Sequence, residues 1–190
     1  MSYRLGAGVG RLGVRPTTVT LVGLACSVSV PLVVVLGPGW PLVAAALVAL
    51  AVTADSVDGA VAVVTGRASR LGHVHDALAD RIAELCWGVA FWLVGAPGPL
   101  AVACVAGAWL YEYACAQAAA AEMSYRGPAP MAESPTRVGL VIVGLTLTGF
   151  AGLLDGGVAV GVATLTLVVW ALISLIGFGQ LLGLLRAGLR

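Results

Sequence analysis

The chain has 190 residues, of which 60% are apolar and only 10% are charged; its formal net charge is +1 and its mean hydropathy is +1.03. Soluble domains carry about 25% charged residues, and a fold of this size cannot bury so much apolar surface. The composition therefore excludes a soluble globular domain, a disordered chain and a nucleic-acid-binding module, and it leaves a polytopic membrane protein.

Six long apolar stretches follow one another, and a membrane helix needs about 20 mostly apolar residues. The second stretch is apolar first and polar last, whereas the third is polar first and apolar last. Residues 1–13, which combine scattered apolar residues with Arg4 and Arg11, are compatible with a short interfacial helix or an unstructured start. We predict one all-α integral membrane domain over residues 1–190, with six transmembrane helices at about 17–37, 41–64, 71–96, 98–123, 138–154 and 156–185.

The ten arginines predict the orientation of these helices. They lie in the N-terminal segment, around the link between the second and third stretches, between the fourth and fifth, and at the C-terminal end. The three tight glycine-containing turns between the other stretches contain none. Six spans place all arginine-bearing regions on one membrane face, which the positive-inside rule identifies as cytoplasmic. We therefore predict a multi-pass protein of the cell inner (plasma) membrane, with both termini in the cytoplasm.

Four of the five aspartates lie at the polar ends of the second and third stretches. Asp55 and Asp58 are three residues apart, so they share one helix face, and Asp76 and Asp80 are four apart and share another. If the two helices pack against each other as a hairpin, the four carboxylates converge. Carboxylates near a bilayer are costly and usually functional, and four together repel one another unless cations neutralise them. The cluster therefore favours Mg²⁺ or Mn²⁺, with two ions bridged by shared carboxylates as one arrangement.

A purely structural interpretation also fits these residues. In it, the carboxylates lie at solvated helix ends, and Arg67, Arg70 and Arg81 are their counter-charges. Arg81 and Glu84, three residues apart, are likewise interpreted as a charge pair on the surface of one helix.

The spacing of the aspartates resembles a known signature. That signature reads D-x-x-D-G-x-x-A-R, eight residues, then G-x-x-x-D-x-x-x-D, and it belongs to the CDP-alcohol phosphotransferase family. Every gap agrees, and the one departure is Val63, which stands where the family has an arginine that helps to hold the donor phosphates. The matching residues are Asp55, Asp58, Gly59, Ala62, Gly72, Asp76 and Asp80.

The resemblance implies a metal-dependent enzyme of phospholipid biosynthesis. Such an enzyme transfers a phosphatidyl-type group from a CDP-diacylglycerol-like donor to a small alcohol and releases CMP. The resemblance further implies that the four aspartates hold two divalent ions, that Asp80 is the general base, and that the chain forms a homodimer among membrane lipids. The residues expected to contact the donor are Gly59, Ala62, Gly72, Arg67 and Arg70.

The region 111–137 resembles that of the actinobacterial branch that uses an inositol phosphate. This branch commonly reads Y-x-R-A-R-A-E and then E-R-x-x-R, but here Tyr113, Cys115 and Ser134 replace three arginines. Because a phosphorylated acceptor needs such cations, the sequence favours an uncharged or differently charged alcohol. Arg137 is interpreted equally well as a positive-inside anchor. The candidate acceptor-binding residues are Arg137, Glu133 and Tyr113.

Two other classes remain as alternatives. A degenerate or specialised paralogue, with a non-standard acceptor or only lipid and metal binding, is favoured by Val63 and the missing arginines, but the intact aspartates argue against loss of catalysis. A transporter that uses the carboxylates for ions would usually show broken helices or an inverted repeat, and neither is visible in the sequence.

Overall fold

The computed structural model describes residues 16–64, 70–121 and 134–188, and all regular structure in these ranges is helical. This confirms the all-α class, while the predicted interfacial segment at 1–13 lies outside the described ranges. The helices are α1 Pro16–Val34, α2 Pro41–Val64, α3 Arg70–Val94, α4 Gly98–Ala120, α5 Ser134–Leu154 and α6 Gly156–Gly188.

The helix boundaries lie close to the predicted ones. Both ends of α2 agree, and α4 and α6 begin where the preceding turns predict. The largest difference is the start of α5, which begins at Ser134 and not at residue 138. The apolar run begins only at Val138, but Pro135 is compatible with a first helical turn because its missing N–H needs no partner there. The apolar run therefore predicts the start of α5 one turn too late, because the first turn of this helix is polar.

Within the described residues, three helices are long and apolar enough to cross a membrane by length and composition: Gly98–Ala120, Ser134–Leu154 and Gly156–Arg186. Shorter apolar segments lie at Thr20–Val34 and Pro41–Asp55 of the described residues. Large apolar side chains are widely exposed; Leu154, Leu175 and Val102 expose 85%, 70% and 68% of their surface. Apolar exposure on this scale is typical of a protein surrounded by lipid.

Chain neighbours are not always packing neighbours in this bundle. The predicted direct packing of α2 on α3 is wrong for the described residues, because α1 packs against both helices while α2 and α3 make little direct contact. Gly23 of α1 allows this approach, since a Cβ added there would lie 3.2 Å from the carbonyl oxygen of Ala51 on α2. The described parts of α2 and α3 are thus held together by α1 and not by direct contact with each other.

Glycines also set the close approach of the later helices. A Cβ at Gly149 of α5 would lie 2.8 Å from the backbone nitrogen of Leu42 on α2, and one at Gly144 would overlap Thr166 of α6. Small residues at helix contacts are the usual means of close packing in membranes. Every helix contributes fully buried side chains to the central core, among them Val30, Val48, Phe91, Ala108, Leu145 and Trp170.

Candidate active site

Three of the four signature aspartates have described side chains, and they border common cavities. Asp55 of α2 and Asp80 of α3 both line a cavity of about 370 Å³, here called the inner cavity. The same two residues and Asp76 line a second space of about 840 Å³, here called the outer cavity. The three described aspartates therefore border common open space, but the packed hairpin that was predicted to bring them together is not present among the described residues.

The inner cavity lies between α1, α2, α3 and the start of α5. Besides the two aspartates it is bordered by Glu84, by hydroxyl-bearing residues and by the indole of Trp87. Trp87 is 4% exposed and its buried Nε1 has no hydrogen-bond partner. The lining residues outside the acidic group are Thr20, Gly23, Leu24, Ser27, Ala51, Val52, Ala79, Ala83, Trp87, Ser134, Pro135 and Val138.

The outer cavity lies between α3 and α4 and reaches Asp55 of α2. Its acidic lining consists of the three aspartates and Glu112, and Arg81 is the one arginine among its described lining residues. The remaining lining residues are His73, Val74, Ala77, Leu78, Trp109, Tyr113, Cys115 and Ala116.

The aspartates fit a divalent cation by their chemistry. They gather carboxylate oxygens at two adjoining cavities, and such oxygens are the ligands that Mg²⁺ and Mn²⁺ prefer. Within the described side chains, no three histidine, cysteine or acidic residues form a group that could hold an ion. The fourth signature carboxylate, on Asp58, belongs to the last turns of α2, whose side chains lie outside the description. The described aspartates are thus an incomplete set of ligands for a divalent cation, although their carboxylate oxygens are the type of ligand that such a cation prefers.

A buried charge network lies one helical turn beyond Asp80. Arg137, only 1% exposed, donates from Nη2 to Oε1 of Glu112 at 2.6 Å and from Nε to Oε1 of Glu84 at 3.0 Å. Its guanidinium also lies over the ring of Tyr111, at 5.9 Å from the centroid. Arg81 Nη1 is 3.4 Å from Glu84 Oε2 and 3.9 Å from Glu112 Oε1. Two arginines and two glutamates from α3, α4 and α5 therefore compensate one another.

The surface pair predicted for Arg81 and Glu84 is only half right. The two side chains do pair, but Glu84 is buried at 2% exposure, and its closest cation is Arg137 from another helix. Sequence reasoning therefore missed Glu84 and Glu112 as members of one network. A glutamate inside an apolar helix, as Glu112 is, signals a charged partner on another helix, but spacing alone does not identify that partner.

The other predicted site residues are placed as follows. Tyr113 borders the outer cavity and is 63% exposed, whereas Arg137 is held by the two glutamates. Gly72 is half-buried in the first turn of α3, and Arg70 is the first residue of that helix. Gly59 and Ala62 lie in the last turns of α2. The side chains of Ala62 and Arg70, and all of Arg67 and Glu133, lie outside the description.

Comparison with known proteins identifies a family. The model of the CDP-alcohol phosphatidyltransferase family matches residues 14–176. A phosphatidylinositol phosphate synthase of Mycobacterium tuberculosis (strain ATCC 25618 / H37Rv) is 32% identical over 154 residues, covering 77% of this chain and 69% of the relative. The enzyme of that name from Corynebacterium glutamicum is 33% identical over 147 residues, covering 73% and 66%. An archaetidylinositol phosphate synthase of Aeropyrum pernix is 28% identical over 110 residues, covering 56% and 57%.

Solved structures give the same result for the fold. The Mycobacterium tuberculosis phosphatidylinositol phosphate synthase with CDP-DAG bound superposes with a TM-score of 0.77 at 25% identity, covering 97% of this chain and 93% of that one. The same enzyme in complex with manganese and citrate gives a TM-score of 0.79 at 24% identity, covering 98% and 89%. The six-helix arrangement described above is therefore the arrangement of these structures.

Proposed function

Since the chain belongs to the CDP-alcohol phosphatidyltransferase family, we propose that it transfers the phosphatidyl group of CDP-diacylglycerol to a small alcohol at the cytoplasmic face of the inner membrane. At the level of the family, the chain is a metal-dependent transferase that moves a phosphatidyl group from a CDP-linked lipid to an alcohol. The observation that carries the proposal is the shared lining of the two cavities by Asp55 and Asp80, with Asp76 beside them.

In this proposal each aspartate has a defined task. Asp55, Asp58, Asp76 and Asp80 would hold divalent cations, which would supply positive charge for the donor diphosphate and the departing CMP. The family resemblance assigns the general base to Asp80, and its position beside both cavities is compatible with that role. As it takes the hydroxyl proton, the acceptor oxygen bonds to the phosphorus that carries the diacylglycerol. The bond from that phosphorus to the CMP oxygen breaks, and CMP leaves.

The donor pocket is proposed at the start of α3 and the end of α2. Gly72 and Gly59 are small where a nucleotide must lie close to the helix backbone, as is Ala62. Arg67 and Arg70 flank this region in the sequence and are proposed to hold the donor phosphates in place of the arginine that Val63 replaces.

The proposed topology has six spans, both termini in the cytoplasm and the active site facing the cytoplasm. Its support is the confinement of all ten arginines to the two terminal segments and to the regions around alternate connections. Three helices of membrane-spanning length and composition among the described residues also support it. A homodimer is proposed from the family resemblance alone.

Phosphatidylinositol phosphate synthases among the relatives favour inositol phosphate as a second candidate acceptor.

The direct test is release of CMP by the purified full chain. The reaction contains CDP-diacylglycerol, Mn²⁺ or Mg²⁺, and a panel of alcohols added one at a time. We expect CMP and a new phospholipid with at least one acceptor, and loss of both when the metal is chelated. Absence of CMP with every acceptor, despite binding of CDP-diacylglycerol, would instead support the alternative of a non-catalytic lipid-binding paralogue.

A further inference from the structure

The described walls of both cavities carry excess negative charge. Four carboxylates and one guanidinium, that of Arg81, border the outer cavity. Asp55, Asp80 and Glu84 border the inner cavity, with no arginine among its described lining residues. Bound cations would offset part of this charge, but the donor diphosphate must share them. A second phosphate on the acceptor would therefore meet few cations in the described walls.

Arg137, the one buried arginine among the described residues, is already paired with two carboxylates. Arg137 contacts Glu84 and Glu112 at 2.9 and 2.6 Å, so its guanidinium faces one carboxylate on α3 and another on α4. Phosphate is commonly bound by such a guanidinium through paired hydrogen bonds. To bind it here, Arg137 would have to leave a glutamate without its partner, which is costly for a buried group. Glu112, whose side chain is 35% exposed and which borders the outer cavity, is the more accessible of the two carboxylates.

Neutral hydrogen-bonding groups border the inner cavity. Ser27, at 1% exposure, and Ser134 supply hydroxyls, and the Trp87 N–H is buried without a hydrogen-bond partner. A buried indole N–H normally finds an acceptor, and a hydroxyl oxygen of an uncharged polyol provides one. These groups suit a ligand rich in hydroxyls.

The geometry points to an acceptor that is an uncharged, polyhydroxy alcohol without a phosphate, with Glu112 as the residue that sets this specificity by occupying Arg137. This inference rests on the proposed function and deepens it by naming the acceptor class. Glu112 acts here through Arg137 and through its own charge at the outer cavity, so it is a specificity-determining residue and not a catalytic one.

The test uses matched pairs of acceptors that differ only in the phosphate: myo-inositol with inositol 1-phosphate, and glycerol with glycerol 3-phosphate. CMP release by the full-length protein is measured for each with CDP-diacylglycerol and Mn²⁺. For whichever pair the protein accepts as a substrate, we expect kcat/KM to be at least tenfold higher for the alcohol than for its phosphate ester. Preference for the phosphorylated member overturns the inference but leaves the proposed function standing. No CMP from any acceptor overturns both.

Glu112→Gln tests the assigned residue. It frees Arg137 from one carboxylate and removes one negative charge from the outer cavity, so the ratio of kcat/KM for the phosphorylated over the unphosphorylated acceptor should rise at least fivefold. Asp155→Asn is the matched control, because it removes the same charge at the far end of α5 and asparagine remains a good helix N-cap. An unchanged ratio in Glu112→Gln, or an equal fall for both acceptors, would show that Glu112 has only a structural role.

Discussion

Asp80, like Asp55, borders both cavities, and Glu84, one turn later, belongs to the buried charge network. Two carboxylates on one helix thus have different surroundings: Asp80 borders both cavities, whereas Glu84 borders only the inner cavity and is paired with two arginines. The aspartate spacing was sufficient to predict where Asp55, Asp76 and Asp80 gather. It was insufficient for Glu84, because the partner of that side chain lies 53 residues away and no local pattern identifies it.

Asp80→Asn should lower the rate of CMP release by at least about 100-fold, since loss of a general base costs on the order of 10² to 10⁴ in rate. The amide keeps an oxygen ligand, so Mn²⁺ binding measured by calorimetry should largely persist. Asp155→Asn serves as the control for the charge change. A wild-type rate in Asp80→Asn would refute the assignment of the base.

Val63→Arg restores the arginine of the signature in the last turn of α2. If the donor site is merely weakened by valine, an added cation should leave kcat/KM for CDP-diacylglycerol unchanged or raise it. The measurement is a donor titration at saturating acceptor. A clear loss of activity would indicate a donor pocket that has been reshaped around valine.

At the scale of elements, the positions of the helices follow from the apolar runs and the turns between them, but their neighbours do not. Chain adjacency suggested that α2 packs on α3, whereas α1 packs against both. A small residue favours the first of these contacts, because Gly23 lets α1 approach the backbone of α2 at Ala51. Single-helix periodicity contains no information about which glycine faces which partner, and this limits prediction of the bundle from the sequence.

Arg137 joins the start of α5 to α3 and α4, so its removal should loosen three helices together. Arg137→Ala leaves two glutamates without their closest cation, and breaking a buried ion pair costs about 3–5 kcal/mol. We expect a clear fall in the melting temperature of the detergent-solubilised protein. Arg186→Ala, at an exposed position near the end of α6, should leave the melting temperature unchanged. Equal melting temperatures for the two variants would contradict a stabilising role of the network.

At the scale of the whole molecule, composition was enough to predict a helical membrane protein, and the arginine distribution predicts its orientation. That orientation is testable with a reporter. Green fluorescent protein fused after the C-terminus should fluoresce, and a cysteine introduced at Gly156, between α5 and α6, should react with a membrane-impermeant maleimide from outside intact cells. Labelling of the Gly156→Cys variant only after cell lysis would reverse the proposed orientation.

The length of α6 has a consequence for the depth at which the chemistry takes place. Leu181 of α6 packs with Tyr111, the ring beneath Arg137, so the charge network lies level with a residue about 25 positions along this helix. At 1.5 Å per residue that is roughly 38 Å from the start of α6, whereas the hydrocarbon layer is only about 30 Å thick. If α6 begins at the outer hydrocarbon boundary and stands nearly upright, the aspartates lie among the lipid head groups. There, a lipid anchored in the bilayer and an alcohol dissolved in water can meet without either leaving its own phase.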